Sequence, residues 1–216
     1  NKNIPIGAGL AGGSSNAAAS LIGLNKLWLL NLDQPTLKRF ALKLGSDVPF
    51  FLEGGSQYCF GRGEVLEKYR FDTKLFLIIL KNPKVSLSTA LIYRNYRDKF
   101  QENYLTSEID YEVRRNNLRE KDFSHLNFSN RKIRIRNDLQ KIVQHENKSV
   151  SDALKLLSQI EECICFSMSG SGPSCFGLFD NYEIAEEVYE KNKKLFSSFG
   201  YNSWLREFQC GGAKIL

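Results

Sequence analysis

The feature that most constrains this chain is the run Pro5-Ile6-Gly7-Ala8-Gly9-Leu10-Ala11-Gly12-Gly13-Ser14-Ser15, which leads into Asn16-Ala17-Ala18-Ala19. A stretch this poor in side chains contributes little to a core. It can, however, turn several backbone N–H groups toward one point, in dihedrals that only glycine adopts at no cost. A polyphosphate requires such a cradle. The alanine-rich segment that follows reads as a helix, and its N-terminus adds further N–H donors and the positive end of a dipole. Ser14 and Ser15 stand at that end, where either can cap the helix, touch phosphate or help to hold Mg²⁺. No Gly-Lys-Ser/Thr follows, so the run is not a Walker loop. It also lacks the strand-turn-helix setting and the later acidic residue of a dinucleotide fingerprint.

The chain has 216 residues and 42% hydrophobic content, enough for one sizeable core or two smaller lobes. No run approaches the roughly 18 apolar residues of a membrane span, and no secretory pattern opens the chain. The chain begins with Asn1 and reaches the glycine loop almost at once. A piece of a longer protein is therefore expected. The net charge of +6 fits a solvated basic surface, attraction of anionic small molecules or, more weakly, nucleic-acid binding. Cys59, Cys163, Cys165, Cys175 and Cys210 form no C-x-x-C pair. A reducing compartment is expected, either bacterial cytoplasm or plastid stroma. His125 and His145 are isolated in polar stretches, which argues against a zinc site. The sequons at Asn127 and Asn147 carry no weight without secretion.

The pattern along the chain predicts a nearly all-round apolar, buried helix over 15–31 and a second helix from Pro35 to Leu44, with Gly45 past its end. Strands are expected over 56–60 and 74–80, the latter ended by Pro83. Helical structure is expected over 88–97. The polar stretch from about 98 to 136, rich in Arg and Lys, reads as a surface insertion. Then come a helix over 150–160, strands over 163–168 and 174–179 around the turn Ser169-Gly170-Ser171-Gly172-Pro173, a charged helix over 183–197 and a closing strand over 202–208. Helix, hairpin, helix, strand is most of a ferredoxin-like split unit. Trp28, Phe50 and Phe51 are expected in the core.

Pro5 to Ala18 resembles the phosphate-binding motif of the GHMP kinases, the superfamily of galactokinase, homoserine kinase, mevalonate kinase and phosphomevalonate kinase. Gly45-Ser46-Asp47-Val48-Pro49-Phe50-Phe51 resembles a second signature of the branch this sequence is most similar to. Gly61-Arg62-Gly63-Glu64 and Pro83-Lys84-Val85-Ser86-Leu87-Ser88-Thr89 follow at suitable distances. Ser169-Gly170-Ser171-Gly172-Pro173-Ser174 resembles the superfamily's third motif. These motifs cover nearly the whole chain in the right order. The departures are Ala11, where the family usually has Gly, and Gly-Ser-Gly for the more common Gly-Thr-Gly.

The resemblance implies an α+β, two-lobe fold. Residues 1–72 would form the C-terminal part of a ribosomal-protein-S5-like N-terminal lobe. Residues 73–216 would form a ferredoxin-like C-terminal lobe that carries the polar insertion. It implies ATP and Mg²⁺ as cofactors, ATP on residues 5–15, and in-line phosphoryl transfer to an alcohol. In the branch most resembled, that alcohol is the 2-hydroxyl of 4-diphosphocytidyl-2-C-methyl-D-erythritol, an isoprenoid precursor. Asp47 then becomes the catalytic carboxylate, although an Asp in a Gly-Ser-Asp turn also serves local backbone hydrogen bonding. Thr89 would bond Asp47 or the reacting hydroxyl, or else simply open a helix. Gly170, Ser171 and Gly172 would form a tight turn close to the phosphate loop, or an ordinary hairpin turn. The family's catalytic lysine belongs to an N-terminal segment with no counterpart in this sequence, so no residue inherits that role. A small-molecule substrate is expected, with a monomer or homodimer and neither nucleic acid nor membrane as partner. The rival readings are a homoserine- or mevalonate-type kinase, disfavoured by the residues around Asp47, a nucleotide or metabolite sensor, and an RNA-binding arm at 114–136.

Overall fold

The computed structural model describes residues 4–69, 73–120, 135–209 and 211–213. His125, Asn127 and Cys210, named above, and residues 121–134 of the polar stretch lie outside the described residues. The chain divides into two compact units. One holds residues 11–72, 107–124 and 209–216; the other holds 1–10, 73–106 and 125–208.

The first unit opens with α1 (Gly12–Leu27), α2 (Gln34–Leu44) and α3 (Val48–Glu53), followed by β1 (Gln57–Phe60) and β2 (Val65–Lys68), an antiparallel hairpin. Its core joins Ala18 of α1, Leu37 and Ala41 of α2, and Val48 and Leu52 of α3, with Phe51 packed against them. Asp33 caps α2 by accepting from Thr36 N, and Pro35 sits in the first turn, where its missing N–H costs nothing. Gly45 ends α2 by donating to the Ala41 carbonyl, with extended backbone.

Two expectations for α1 are corrected. It starts and ends earlier than 15–31, because Ala11 before it and Leu29 and Asn31 beyond it take left-handed dihedrals. It is also not buried all round. It meets α2 and α3 through one face, and Leu27, Trp28 and Leu29 are 73%, 62% and 78% exposed. Trp28 is therefore not a core residue. The short run after Asp47 is helical, and β2 had no clear sequence signal.

The second unit is built on β3 (Phe76–Lys81). After it come α4 (Thr89–Phe100) and a single tight turn of helix at Gln101–Asn103. α5 (Glu108–Arg119) follows in the chain but belongs to the first unit. The second unit resumes with α6 (Gln140–Glu146), α7 (Lys148–Ser158), β4 (Cys165–Met168), β5 (Cys175–Phe179), α8 (Tyr182–Ser198) and β6 (Asn202–Glu207). The sheet runs β4-β5-β3-β6, antiparallel throughout. Numbered by chain order within this unit, that is 4-1-3-2 read from β6, the ferredoxin-like arrangement expected. Ile78, Leu80, Val150, Leu157, Met168, Phe179 and Phe196 fill its core. α6 was not anticipated.

Part of the expected polar insertion is ordered helix. Arg119 grips Glu67 of β2 with two hydrogen bonds, at 2.8 and 2.6 Å. Arg119 and Arg115 also lie over the Phe60 ring, 5.3 and 5.6 Å from its centre. At the end of the first unit, Gly212 N donates to the Glu53 carbonyl and Ala213 N to that of Phe51. This backbone contact needs Gly54, whose added Cβ would overlap Gly212 N. Asn147, one of the two sequon residues, caps α7 through its side chain.

Among the described residues, Cys59, Cys163, Cys165 and Cys175 form no disulfide. Burial pushes the Cys165 and Cys175 thiols up to about 12, which leaves them inert as nucleophiles. No helix among the described residues is long and apolar enough to cross a membrane.

Candidate active site

Ala8 and Gly9 are held by the turn at 169–174. Ser169 Oγ donates to the Gly9 carbonyl at 2.8 Å, and Ser174 N donates to the Ala8 carbonyl at 3.2 Å. Gly7 and Gly9 have φ of 61° and 71°. A Cβ on Gly9 would meet the Ser169 carbonyl and lie 2.7 and 2.9 Å from the Gly172 oxygen and nitrogen. A Cβ on Gly7 would overlap Ser86 Oγ. Here glycine is demanded twice, by dihedral and by close approach.

The turn is equally constrained. Gly172 N donates to the Ser169 carbonyl and Ser169 N to that of Ser174, both at 2.8 Å. Gly170 and Gly172 take φ of 53° and 78°. A Cβ on Gly172 would press on Met168 Sδ at 2.6 Å. Between them, Ser171 is buried and its Oγ lies 2.9 Å from Thr89 Oγ1. Thr89 is the first residue of α4, after the cap Ser88. The structure thus pairs Thr89 with Ser171.

Past Leu10 the chain enters α1 through Ala11, at φ 47° and ψ 26°. No side chain caps this helix and its first turn holds no acid, so neither Ser14 nor Ser15 is the cap. The first hydrogen bond of the helix ladder is Ser15 N to the Ala11 carbonyl. The N–H groups of Gly12, Gly13 and Ser14 therefore have no partner in the ladder, and a Cβ on Gly13 would meet open space. An uncapped, acid-free and open helix start fits an anion. Among the described residues no three His, Cys, Asp or Glu cluster to hold a metal.

In the first unit, which also holds α1, Asp47 precedes α3. Its side chain is exposed and makes no capping hydrogen bond. Gly63 of the β1–β2 turn packs against Ser46, where a Cβ would lie 3.1 Å from the Ser46 carbonyl. Cys59 of β1 faces the same region: burial, and then the negative charge of Asp47, push its thiol above the usual value. The Gly61–Glu64 and Gly45–Pro49 motifs are thus neighbours. Phe50 and Phe51 meet edge to face at 5.0 Å.

Sequence reasoning missed two residues. Asn137 Nδ2 donates to the carbonyls of Met168 and Gly170, at 2.8 and 2.9 Å. Gln140 Oε1 accepts from Met168 N at 2.8 Å and from Ser167 Oγ at 3.0 Å. The Asn137-Asp138 pair before an apolar, helix-spaced run was the available signal.

A glycine loop docked on the glycine turn of a ferredoxin-like unit, leading along the chain into an uncapped helix start, is the pattern expected of a small-molecule kinase. The family described as GHMP kinases N terminal domain matches residues 1–55, and GHMP kinases C terminal matches residues 117–198. Among curated proteins, the chain is 56% identical over 207 residues to a 4-diphosphocytidyl-2-C-methyl-D-erythritol kinase of Prochlorococcus marinus strain AS9601, covering 96% of this chain and 67% of that protein. It is 52% identical over 215 residues to the kinase of the same name from Prochlorococcus marinus subsp. pastoris, covering 100% of this chain and 69% of the relative. A crystal structure of 4-(cytidine 5'-diphospho)-2C-methyl-D-erythritol kinase matches with TM-score 0.65 at 26% identity, over 99% of this chain and 70% of that one. Homoserine kinase from Cytophaga hutchinsonii shares the fold, with TM-score 0.56 at 19% identity over 98% and 69% of the two chains. The chain belongs to the GHMP kinase family, and within it to the 4-diphosphocytidyl-2-C-methyl-D-erythritol kinases.

Proposed function

We propose that this chain provides the phosphate-binding loop and the reacting carboxylate of an ATP-dependent kinase that phosphorylates the 2-hydroxyl of 4-diphosphocytidyl-2-C-methyl-D-erythritol, in non-mevalonate isoprenoid precursor synthesis. The observation that carries this reading is the loop at 7–10, whose glycines cannot be replaced without collision and which leads straight into an uncapped helix start. Backbone N–H groups between Gly7 and Ser15 would receive the ATP phosphates. Mg²⁺ would neutralise their charge, with Ser14 or Ser15 contributing a hydroxyl. Asp47 would orient or deprotonate the acceptor hydroxyl, a role that suits an exposed carboxylate with no capping bond. Thr89 and Ser171, bonded to each other, would support the site.

In this reading residues 1–72 belong to the N-terminal lobe and residues 73–216 to the C-terminal lobe. The enzyme works in a bacterial cytoplasm or plastid stroma as a monomer or homodimer, on a small molecule and not on nucleic acid or membrane. The test is ADP release by the full-length protein with ATP, Mg²⁺ and a panel containing 4-diphosphocytidyl-2-C-methyl-D-erythritol, mevalonate and homoserine. Turnover confined to the cytidyl substrate is expected. Turnover with another alcohol replaces the substrate, and ATP binding with no acceptor turned over replaces the enzyme with a sensor.

A further inference from the structure

We propose that Asn137 is a positioning residue for nucleotide binding. It holds the Ser169–Gly172 turn and, through that turn, the loop at 7–10. The proposal rests on reading that loop as the phosphate loop. The Asn137 amide is fully used. Both protons of Nδ2 are donated, to the Met168 carbonyl at 2.8 Å and the Gly170 carbonyl at 2.9 Å. Oδ1 accepts from Leu139 N at 3.0 Å and Gln140 N at 3.3 Å. An amide supplies two donors and two lone pairs, and all four meet backbone groups. No other side chain of this length can do this. Asp has no donor, and the hydroxyl of Ser has one proton and a shorter reach.

The arrangement couples two places far apart in sequence. On one side, Asn137 turns its own chain into α6. On the other, it grips two carbonyls that flank Ser169, and Ser169 is the residue whose hydroxyl holds Gly9. A Cβ on Gly170 would lie 3.2 Å from the Gly9 carbonyl, so the turn and the loop are in direct contact there. Three residues on, Gln140 holds Met168 N and Ser167 Oγ. Two amides thus fix the Ser167–Met168, Met168–Ser169 and Gly170–Ser171 peptide groups. Close packing leaves no slack in which a shifted turn could avoid shifting Gly9. A displaced Gly9 moves the N–H groups that meet phosphate, so the effect should fall on ATP and not on the alcohol.

Asn137→Asp separates the two sides. It keeps both acceptors for Leu139 and Gln140 and replaces the donors with an oxygen facing two carbonyls. In the full-length protein the expected result is a KM for ATP raised about tenfold, as for the loss of roughly 1.4 kcal/mol of binding. Titration with a non-hydrolysable ATP analogue should weaken in parallel, while KM for the alcohol at saturating ATP stays within about twofold. Asn137→Ser, which keeps a short acceptor for the start of α6 and adds no charge, should show the same split and covers the case in which the Asp variant fails to fold. ATP affinity equal to the parent in a folded variant overturns the proposal. So does an equal loss of melting temperature, kcat and both KM values in both variants, which assigns Asn137 to folding alone. A parent that binds no ATP analogue instead overturns the reading of the loop itself.

Discussion

The loop at 7–10 and the turn at Asp47 are constrained to very different degrees. At the loop, two glycines are required by dihedral and by contact, two hydrogen bonds tie residues 8 and 9 to the turn, and an amide side chain holds that turn from behind. At Asp47 the backbone is ordinary helical geometry and the carboxylate is exposed, with no capping bond. The helix that follows it is anchored well: Val48, Pro49 and Leu52 are buried, and Glu53 pairs with Lys38 and Lys68. The scaffold around Asp47 is fixed, while its carboxylate is exposed and makes no capping bond. A phosphate cradle works only if its N–H groups are already in place, because reorganising them would consume binding energy. A group that must accept or orient a proton has to keep its lone pairs available.

The largest effect expected from this contrast is at the carboxylate. Asp47→Asn keeps shape and removes the charge and the basic oxygen. In the full-length enzyme kcat should fall between about a hundredfold and ten-thousandfold. ATP affinity by titration should change less than about twofold, since the hydrogen bonds described for Ala8 and Gly9 come from Ser174 and Ser169. Near-parental kcat would remove Asp47 from the chemistry. A parallel loss of ATP affinity would break the division between a binding region and a reacting region.

The opposite perturbation is Gly9→Ala. The new methyl would press on the Ser169 carbonyl and on Gly172 in a left-handed dihedral. Strain and overpacking together should cost about 3 kcal/mol. The expected outcome is an ATP affinity weakened about a hundredfold, with a smaller drop in kcat once ATP is saturating. Unchanged affinity would mean that the loop is more adaptable than its packing implies.

What the sequence made legible follows the same line. The glycine loop, the second glycine turn and the ferredoxin-like order were readable because dihedral requirements and period-2 runs leave local signatures. The end of α1 was not. Leu27, Trp28, Leu29 and Leu30 suggest a continuing buried helix, yet nothing in a hydropathy pattern shows that Leu29 turns left-handed and that this end stays exposed. β2 has four residues and α6 seven, too short for periodicity to declare them. Asn137 was hidden for another reason: its partners lie 31 and 33 residues away, and local spacing cannot reveal a contact made across the fold. The pairing of Thr89 with Ser171, 82 residues apart, was beyond reach for the same reason.

The smallest expected effect is also the sharpest probe of how much strain the loop carries. Ala11 enters α1 at φ 47°, where a residue with a Cβ costs about 1–2 kcal/mol relative to the right-handed region. Glycine removes that cost but adds about 0.5–1 kcal/mol through the freedom it gives the unfolded chain. It is also the better residue at an N-cap that lacks a side-chain hydrogen bond. Ala11→Gly should therefore stabilise the protein by about 0.5 kcal/mol, read as a rise of one or two degrees in melting temperature. ATP affinity should be unchanged or slightly tighter. With Gly9→Ala this makes a reciprocal pair: the same two residue types exchanged in opposite directions, two positions apart, with opposite signs expected. A fall in melting temperature for Ala11→Gly would mean that the Ala11 methyl contributes packing worth more than its strain. The left-handed strain that Ala11 shares with Gly9 would then be outweighed, at the start of α1, by contacts of the Ala11 side chain itself.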